Sequence, residues 1–370
     1  MSAGVAQPLA LERRDFPCTA ETTNGFFTDA APLAPGGDPH PASSCAMDRS
    51  HAFAAAQELG LELTSDARGR ATESTAIRRD AGKGKYVRVA PSVFLDRGRW
   101  EGLGPDDRFR AFVVGMATTM EPDVVFSHFS AAALLGLPSL HAWPRRVQVT
   151  IPPASGGRST GNVQRYGAAL RDDEVVEVAG FLVTSPARTV MDVARMAPFA
   201  PAVALADAAL HRKRKPAPLL TMADLAAELD EQRGRYAFGK MRRVAEFSTT
   251  LSDSVRESES RVLIHELGFP QPVLQQPWFD RSGHVGDTDF WWPEHGLAGE
   301  CDGLGKYLKP ELLHRRTTAQ AVIAEKRRED RIRALGADFA RWEPALLAHR
   351  PGFARLLRDA GLPQRPRSRY

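Results

Sequence analysis

The residues of this chain best suited to chemistry are carboxylates in its last third. Asp287 and Asp289 alternate within the run HVGDTDFWW, and Glu300 and Asp302 alternate within LAGECDG. Residues two apart on a β-strand point to one face, so each pair shares a side. A turn at Pro293-Glu294-His295-Gly296 separates the two runs. Paired as a hairpin, they bring Asp289 and Glu300 together at one end of one face. Mg2+ asks for two or three oxygen ligands with open positions for water and phosphate. Held there, it lowers the pKa of an attacking water and stabilises charge building on a phosphodiester. A solvated strand edge is the plainer reading, but carboxylates inside otherwise apolar strands are costly unless compensated. Asp289, Glu300 and Asp302 are therefore candidate metal ligands, with the solvated edge still open.

Cations follow these strands at Lys306, Lys309, Arg315 and Arg316, and again in the helical run AEKRREDRIRALG. Glu325, Arg328 and Arg331 are spaced by three on one helix face. Arg328 either binds phosphate or pairs with neighbouring acids along a solvated face. Ahead of the strands, the helix SESRVLIHELGFP carries Glu257 and Glu259 at its start and ends at Gly268. Two other groupings are weaker. Cys18, His40, Cys45 and His51 match no usual zinc spacing. Ser127-His128 suggests a nucleophile with its base, yet no G-x-S-x-G elbow or third partner accompanies it, and a helix-capping serine beside a structural histidine is the better reading.

The elements that position these residues fall into six segments. Residues 1–48, with the run PLAPGGDPHPASS, bury too little apolar surface to offset ordering and read as a disordered leader. Residues 49–100 read as helices followed by a basic hairpin, the order of a winged helix. Ser50 starts the first helix and Gly60 stops it, a second follows Thr64 or Ser65, and a third from Thr72 to about Asp80 carries Arg78 and Arg79 toward the major groove. Lys83 and Lys85, in a hairpin turn read at Gly82-Lys83-Gly84-Lys85, are placed to touch phosphate. Residues 101–215 read as mixed α/β, with a strand at Arg146–Ile151 and a helix capped by Ser185. HRKRKPAP, at 211–218, reads as a basic hinge. Residues 216–251 form a helical connector, 252–362 carry the acidic strands, and 363–370 form a basic tail.

Composition excludes several classes. Across 370 residues the formal charge is +4, too small for a polycationic coat. Three scattered cysteines make no disulfide framework, which fits a reducing cytoplasm. No apolar run approaches the roughly 20 residues of a membrane span, and Arg13-Arg14-Asp15 stands where a signal peptide needs its apolar core.

Two stretches also resemble known families. GDTDFWWPEHGLAGECDGLGKY followed by EKRREDRIRALGADFARW resembles the Vsr-like branch of the PD-(D/E)XK nucleases. The basic segment at Lys83–Lys85 with SHFSAAALLGLP, VQVTIP and VTSPARTVMDVA resembles AbiEi-type antitoxins of type IV toxin–antitoxin systems. Together they cover about residues 50–350. The resemblance implies an α/β multidomain fold: a winged helix-turn-helix, a mixed α/β middle domain and a restriction-endonuclease-like α/β/α C-terminal domain. It assigns Asp289 as the first metal-binding aspartate, Glu300 as the acid of the E-x-K element and Glu257 as the helix glutamate. Asp302 stands where the E-x-K lysine belongs, Lys306 falls near a position where the branch often has histidine, and Ser92-Val93-Phe94 replaces the antitoxin pattern's Gly-Val-Tyr. Two functions follow. The first is Mg2+-dependent cleavage of DNA, with Lys306 stabilising the transition state. The alternative is a non-catalytic antitoxin-like regulator that binds its own promoter beside a cognate nucleotidyltransferase-like toxin. Neither requires a membrane.

Overall fold

The computed structural model describes residues 50–64, 74–121, 123–153, 159, 161–301 and 318–365. The expected leader, Cys18, His40 and Cys45, the helix expected after Thr64 or Ser65, Asp302, Lys306, Lys309, Arg315, Arg316 and the end of the basic tail lie outside the described residues.

Short-range signals build the first unit. Helix α1 (Ser50–Glu58) stops at Gly60, whose left-handed φ of 68° suits a residue without a Cβ. Strand β1 (Glu62–Leu63) follows, then α2 (Ser74–Gly82), β2 (Tyr86–Ala90), β3 (Val93–Asp96), α3 (Arg97–Gly102) and α4 (Pro105–Ala117). The three strands form an antiparallel sheet in the order β1-β3-β2. Asp96 caps α3 by accepting from the Arg99 amide at 3.0 Å. Gly115 lets α4 lie against the hairpin, for a Cβ there would stand 3.1 Å from Ala90 Cβ. The hairpin turn is Pro91-Ser92. The Lys83–Lys85 turn instead joins α2 to β2, because strand pairing starts only at Tyr86.

The middle unit comprises β4 (Val125–Phe126), α5 (His128–Leu134), β5 (Val147–Ile151), β6 (Val163–Gly167), β7 (Val175–Val178), β8 (Phe181–Thr184), α6 (Pro186–Met196), α7 (Phe199–Leu210), α8 (Met222–Glu231) and α9 (Phe238–Phe247). Its mixed sheet runs β6-β5-β4-β8-β7, with β5–β6 and β4–β8 parallel. Ser185 caps α6 as expected, accepting from Arg188 N at 3.3 Å, with Pro186 at the first helical position. One hydrophobic core runs from Ala52 on α1 through this unit to Val262.

The last unit comprises α10 (Val255–Glu266), β9 (Val273–Asp280), β10 (Gly283–Trp292), β11 (Leu297–Cys301), α11 (Thr318–Arg333), β12 (Asp338–Trp342), α12 (Pro344–Leu347) and α13 (Arg350–Asp359). The sheet order is β12-β11-β10-β9, with β11–β12 parallel and the other pairs antiparallel. Alternation splits its side chains between two faces. Phe290, Trp292 and Trp342 pack with Ile264 of α10 and Phe353 of α13, whereas Trp291, Ala298 and Phe339 pack with Ile332 of α11. Gly299 is required between the layers of tryptophan, since a Cβ would fall 2.8 Å from Trp292 and 2.9 Å from Trp342. The outer strand β9 is irregular, with Gln275 left-handed at φ 52° and Pro277 two residues on. Among the described residues the chain is thus a mixed α/β protein with three sheets, and no helix is long and apolar enough to cross a membrane.

A buried ion pair joins the middle and last units. Asp207 on α7 accepts from Arg261 of α10 at 2.7 Å, from Ser258 Oγ at 2.7 Å and from the Thr249 amide at 2.8 Å. Arg261 in turn covers the Phe247 ring at 4.3 Å. Removing one partner of such a pair strands the other charge, which is strongly destabilising. Asp207→Ala is expected to lower the unfolding free energy by about 3–5 kcal/mol. Urea denaturation of the full chain measures this, and a loss below about 1 kcal/mol would contradict it.

Candidate functional site

The acidic strand ends come together much as alternation requires. In the β10–β11 hairpin Phe290 opposes Gly299 and Trp291 opposes Ala298, and Asp289 and Glu300 are next in that register. Both lie on the face covered by α11, which also receives Trp291 and Ala298.

The carboxylates are occupied, however, by partners that the local sequence did not reveal. Glu300 is buried at 4% exposure. Its Oε1 accepts from Arg328 and its Oε2 lies 2.8 Å from Arg341. Glu325 joins the same guanidinia, at 2.6 Å from Arg328 and 2.7 Å from Arg341. Burial works against the Arg328 cation, but Glu325 and Glu300 outweigh it and hold its pKa above the ordinary value. Arg328 also donates to the Asp287 carbonyl at 3.1 Å, so it faces the sheet. Asp289 Oδ2 accepts from the Cys301 amide at 3.0 Å, and Asp287 meets His284 at 2.9 Å. Glu257 caps its own helix, accepting from Ser254 Oγ and from the Asp253 amide, each at 2.8 Å, and takes a bond from Gln275 at 3.1 Å.

Mg2+ needs oxygen ligands free to turn toward it. Among the described residues no three His, Cys, Asp or Glu side chains are grouped to hold a metal ion. Two guanidinia already neutralise Glu300. The described residues therefore do not by themselves assemble the expected Mg2+ site, and Asp302 and Lys306 lie outside them.

The basic candidates of the first unit face solvent. Arg78, Arg79, Lys83 and Lys85 are all exposed. Asp80 sits among three of them, 3.3 Å from Lys85, 3.8 Å from Arg79 and 4.0 Å from Lys83. Arg97 donates to the Gly84 carbonyl and fixes the same turn. Between Ser74 and Gly102 seven basic residues face three acidic ones, a local excess equal to the +4 of the whole chain. The segment from α2 to α3 is thus more basic than the chain as a whole.

Around Ser127 and His128 the structure gathers partners that the sequence did not reveal. Ser127 stands at the N-cap of α5 but makes no side-chain capping bond; its Oγ lies 2.9 Å from His128 Nδ1. His128 takes a left-handed φ of 53°, and its ring stacks on Tyr166 with centroids 3.9 Å apart. Gln148 braces both sides, bonding Tyr166 Oη at 3.2 Å and accepting the Phe129 amide at 2.9 Å. Beneath them Arg188 is buried between Glu174 at 2.8 Å and Asp192 at 2.9 Å. A positive φ at a non-glycine and a buried histidine are tertiary properties; the adjacent Ser-His letters were the only signal.

Burial pushes the His128 pKa down to about 4, with Arg188 and Arg195 adding to the fall and Asp192 opposing it. The unfolded chain takes up this proton near pH 6.5. Stability is therefore complete above pH 6.5 and is lost as the pH falls toward 4, where only the unfolded state is protonated. Between those values the native chain should lose roughly 3 kcal/mol more than His128→Gln does, read by urea unfolding at each pH. Parallel pH profiles would rule this out.

Comparison with known proteins bears on the middle unit. Two curated relatives, the uncharacterized proteins Rv2248 of Mycobacterium tuberculosis strain H37Rv and MT2308 of strain CDC 1551, are each 33% identical to this chain over 162 residues. The match takes in 44% of this chain and 56% of theirs, so the chain spans about half the length of the curated relatives it matches. The family model that matches covers residues 124–246, from just before β4 to the end of α9, and includes the His128 cluster. Over that stretch the chain matches the AbiEi antitoxin C-terminal domain.

Proposed function

We propose that this chain is a non-catalytic, antitoxin-like transcriptional regulator that binds duplex DNA through its first unit. The observation that carries the reading is the AbiEi antitoxin C-terminal domain match at residues 124–246. It is supported by what precedes that domain: a helix, a basic turn and a hairpin in a β1-β3-β2 sheet, the arrangement a winged helix uses. In this reading α2 enters the major groove with Arg78 and Arg79. Lys83 and Lys85 meet phosphates, their ammonium groups turning from Asp80 to do so. The expected target is the chain's own promoter, in a system with a nucleotidyltransferase-like toxin. The last unit then serves as a packed platform, its Glu300 neutralised by Arg328 and Arg341.

Binding through these lysines should be strongly salt-dependent, each phosphate contact adding about 0.9 to the slope of log K against log salt. Lys83→Ala with Lys85→Ala is expected to weaken promoter binding and to lower that slope by about 2, measured by mobility shift across a salt series. A flat titration of the native chain would refute the reading.

The competing expectation, Mg2+-dependent cleavage, rests on the Asp289–Glu300 register. Under the regulator reading, purified protein leaves plasmid and linear DNA intact with Mg2+ or Mn2+. Cleavage that disappears in both Asp289→Ala and Glu300→Ala would restore the nuclease.

A further inference from the structure

The run 211–218 is a tethered turn rather than a hinge. Arg212 N donates to the Thr250 carbonyl at 3.2 Å, Lys213 Nζ meets Asp253 at 2.6 Å, and Leu219 N returns to the Ala209 carbonyl at 3.0 Å. Four consecutive cations, Arg212 to Lys215, are thereby held on a short, fixed piece of backbone.

Arg214 reaches from this turn to the end of α5, donating to the Leu135 carbonyl at 2.9 Å. Arg110 arrives there from α4 and donates to the Ala133 carbonyl at 2.9 Å. The last carbonyls of a helix favour a cation, and one would serve. Here two converge. A Cβ on Gly136 would stand 3.4 Å from one terminal nitrogen of Arg214 and 3.7 Å from one of Arg110. Asp107 partly neutralises Arg110 at 3.2 Å. Among the described residues no carboxylate pairs with Arg214, and burial and then Arg110 lower its pKa. Arg212 and Lys215 beside it are exposed.

We infer that Arg110 and Arg214, flanked by Arg212 and Lys215, form a binding site for a phosphate group. Two guanidinia approaching from different elements offer separated N–H edges, which suit the several oxygens of a phosphate better than a single planar carboxylate. Either a nucleic-acid backbone or a small phosphorylated molecule supplies that group. The site lies outside α2 and the turn after it, so the inference does not rest on the DNA contact proposed above.

Two measurements on the full chain test it, with Arg214→Gln and, for exposed positions that do not threaten folding, Arg212→Gln with Lys215→Gln. In the first, inorganic phosphate replaces chloride at equal ionic strength and thermal unfolding is followed. Phosphate should raise the Tm of the native chain, and the rise should vanish in Arg214→Gln and shrink in the double variant. In the second, labelled duplex DNA is titrated by fluorescence anisotropy. A backbone ligand predicts binding weakened about three- to tenfold in the double variant, with a salt slope lower by about 2. A small-molecule ligand predicts unchanged DNA binding together with the lost phosphate response. The inference is overturned if phosphate shifts the native chain and both variants equally, or not at all, while DNA binding also stays unchanged.

Discussion

The contact between Asp207 and Arg261 governs how the chain is assembled. Helix α10 belongs to two cores at once: Val262 closes the core that begins at α1, while Leu263 and Ile264 open the one beneath the last sheet. A helix with apolar groups on more than one side needs something directional to fix its rotation. The Asp207 carboxylate does this by engaging Arg261, Ser258 and the Thr249 amide together. Once α10 is set, β9 to β12 are placed against the antitoxin-like unit, and the turn after α7 is held by its bonds to residues 250–253.

A carboxylate inside a strand needs compensating positive charge, and a metal ion or a guanidinium satisfies that need equally well. The alternation around Asp289 and Glu300 therefore reported correctly that something cationic stands over the sheet. It did not report which. Arg328 on α11 and Arg341 on β12 stand there among the described residues, both well beyond Glu300 in sequence, and Arg341 reaches it because β12 pairs in parallel beside β11. The i, i+3 spacing of Glu325 and Arg328 was readable, and their pair does form; that the same guanidinium also turns inward to Glu300 was not.

The same division runs through the rest of the chain. Strand β5, the Ser185 cap, the stop at Gly268 and the face shared by Asp289 and Glu300 follow from period and local hydrogen bonding, and these were legible. The hairpin turn was displaced because Gly82-Lys83-Gly84-Lys85 has turn chemistry as good as that of Pro91-Ser92, and only strand register separates them. His128 was read as structural, which its burial supports, but its stacking on Tyr166 depends on β6 lying two strands from β4. The basic run at 211–215 has the composition of a linker, yet its tethers lie some forty residues downstream.

The outer strand of the last sheet carries one more consequence. Gln275 breaks the regular path of β9 and Pro277 lacks an amide hydrogen, so the open side of this sheet offers an interrupted row of donors and acceptors. Val273 and Phe279, both well exposed on that strand, would otherwise invite a neighbouring molecule to add a strand of its own. The kink and the proline guard the chain against stacking into fibrils at high concentration, while leaving Phe279 at the surface.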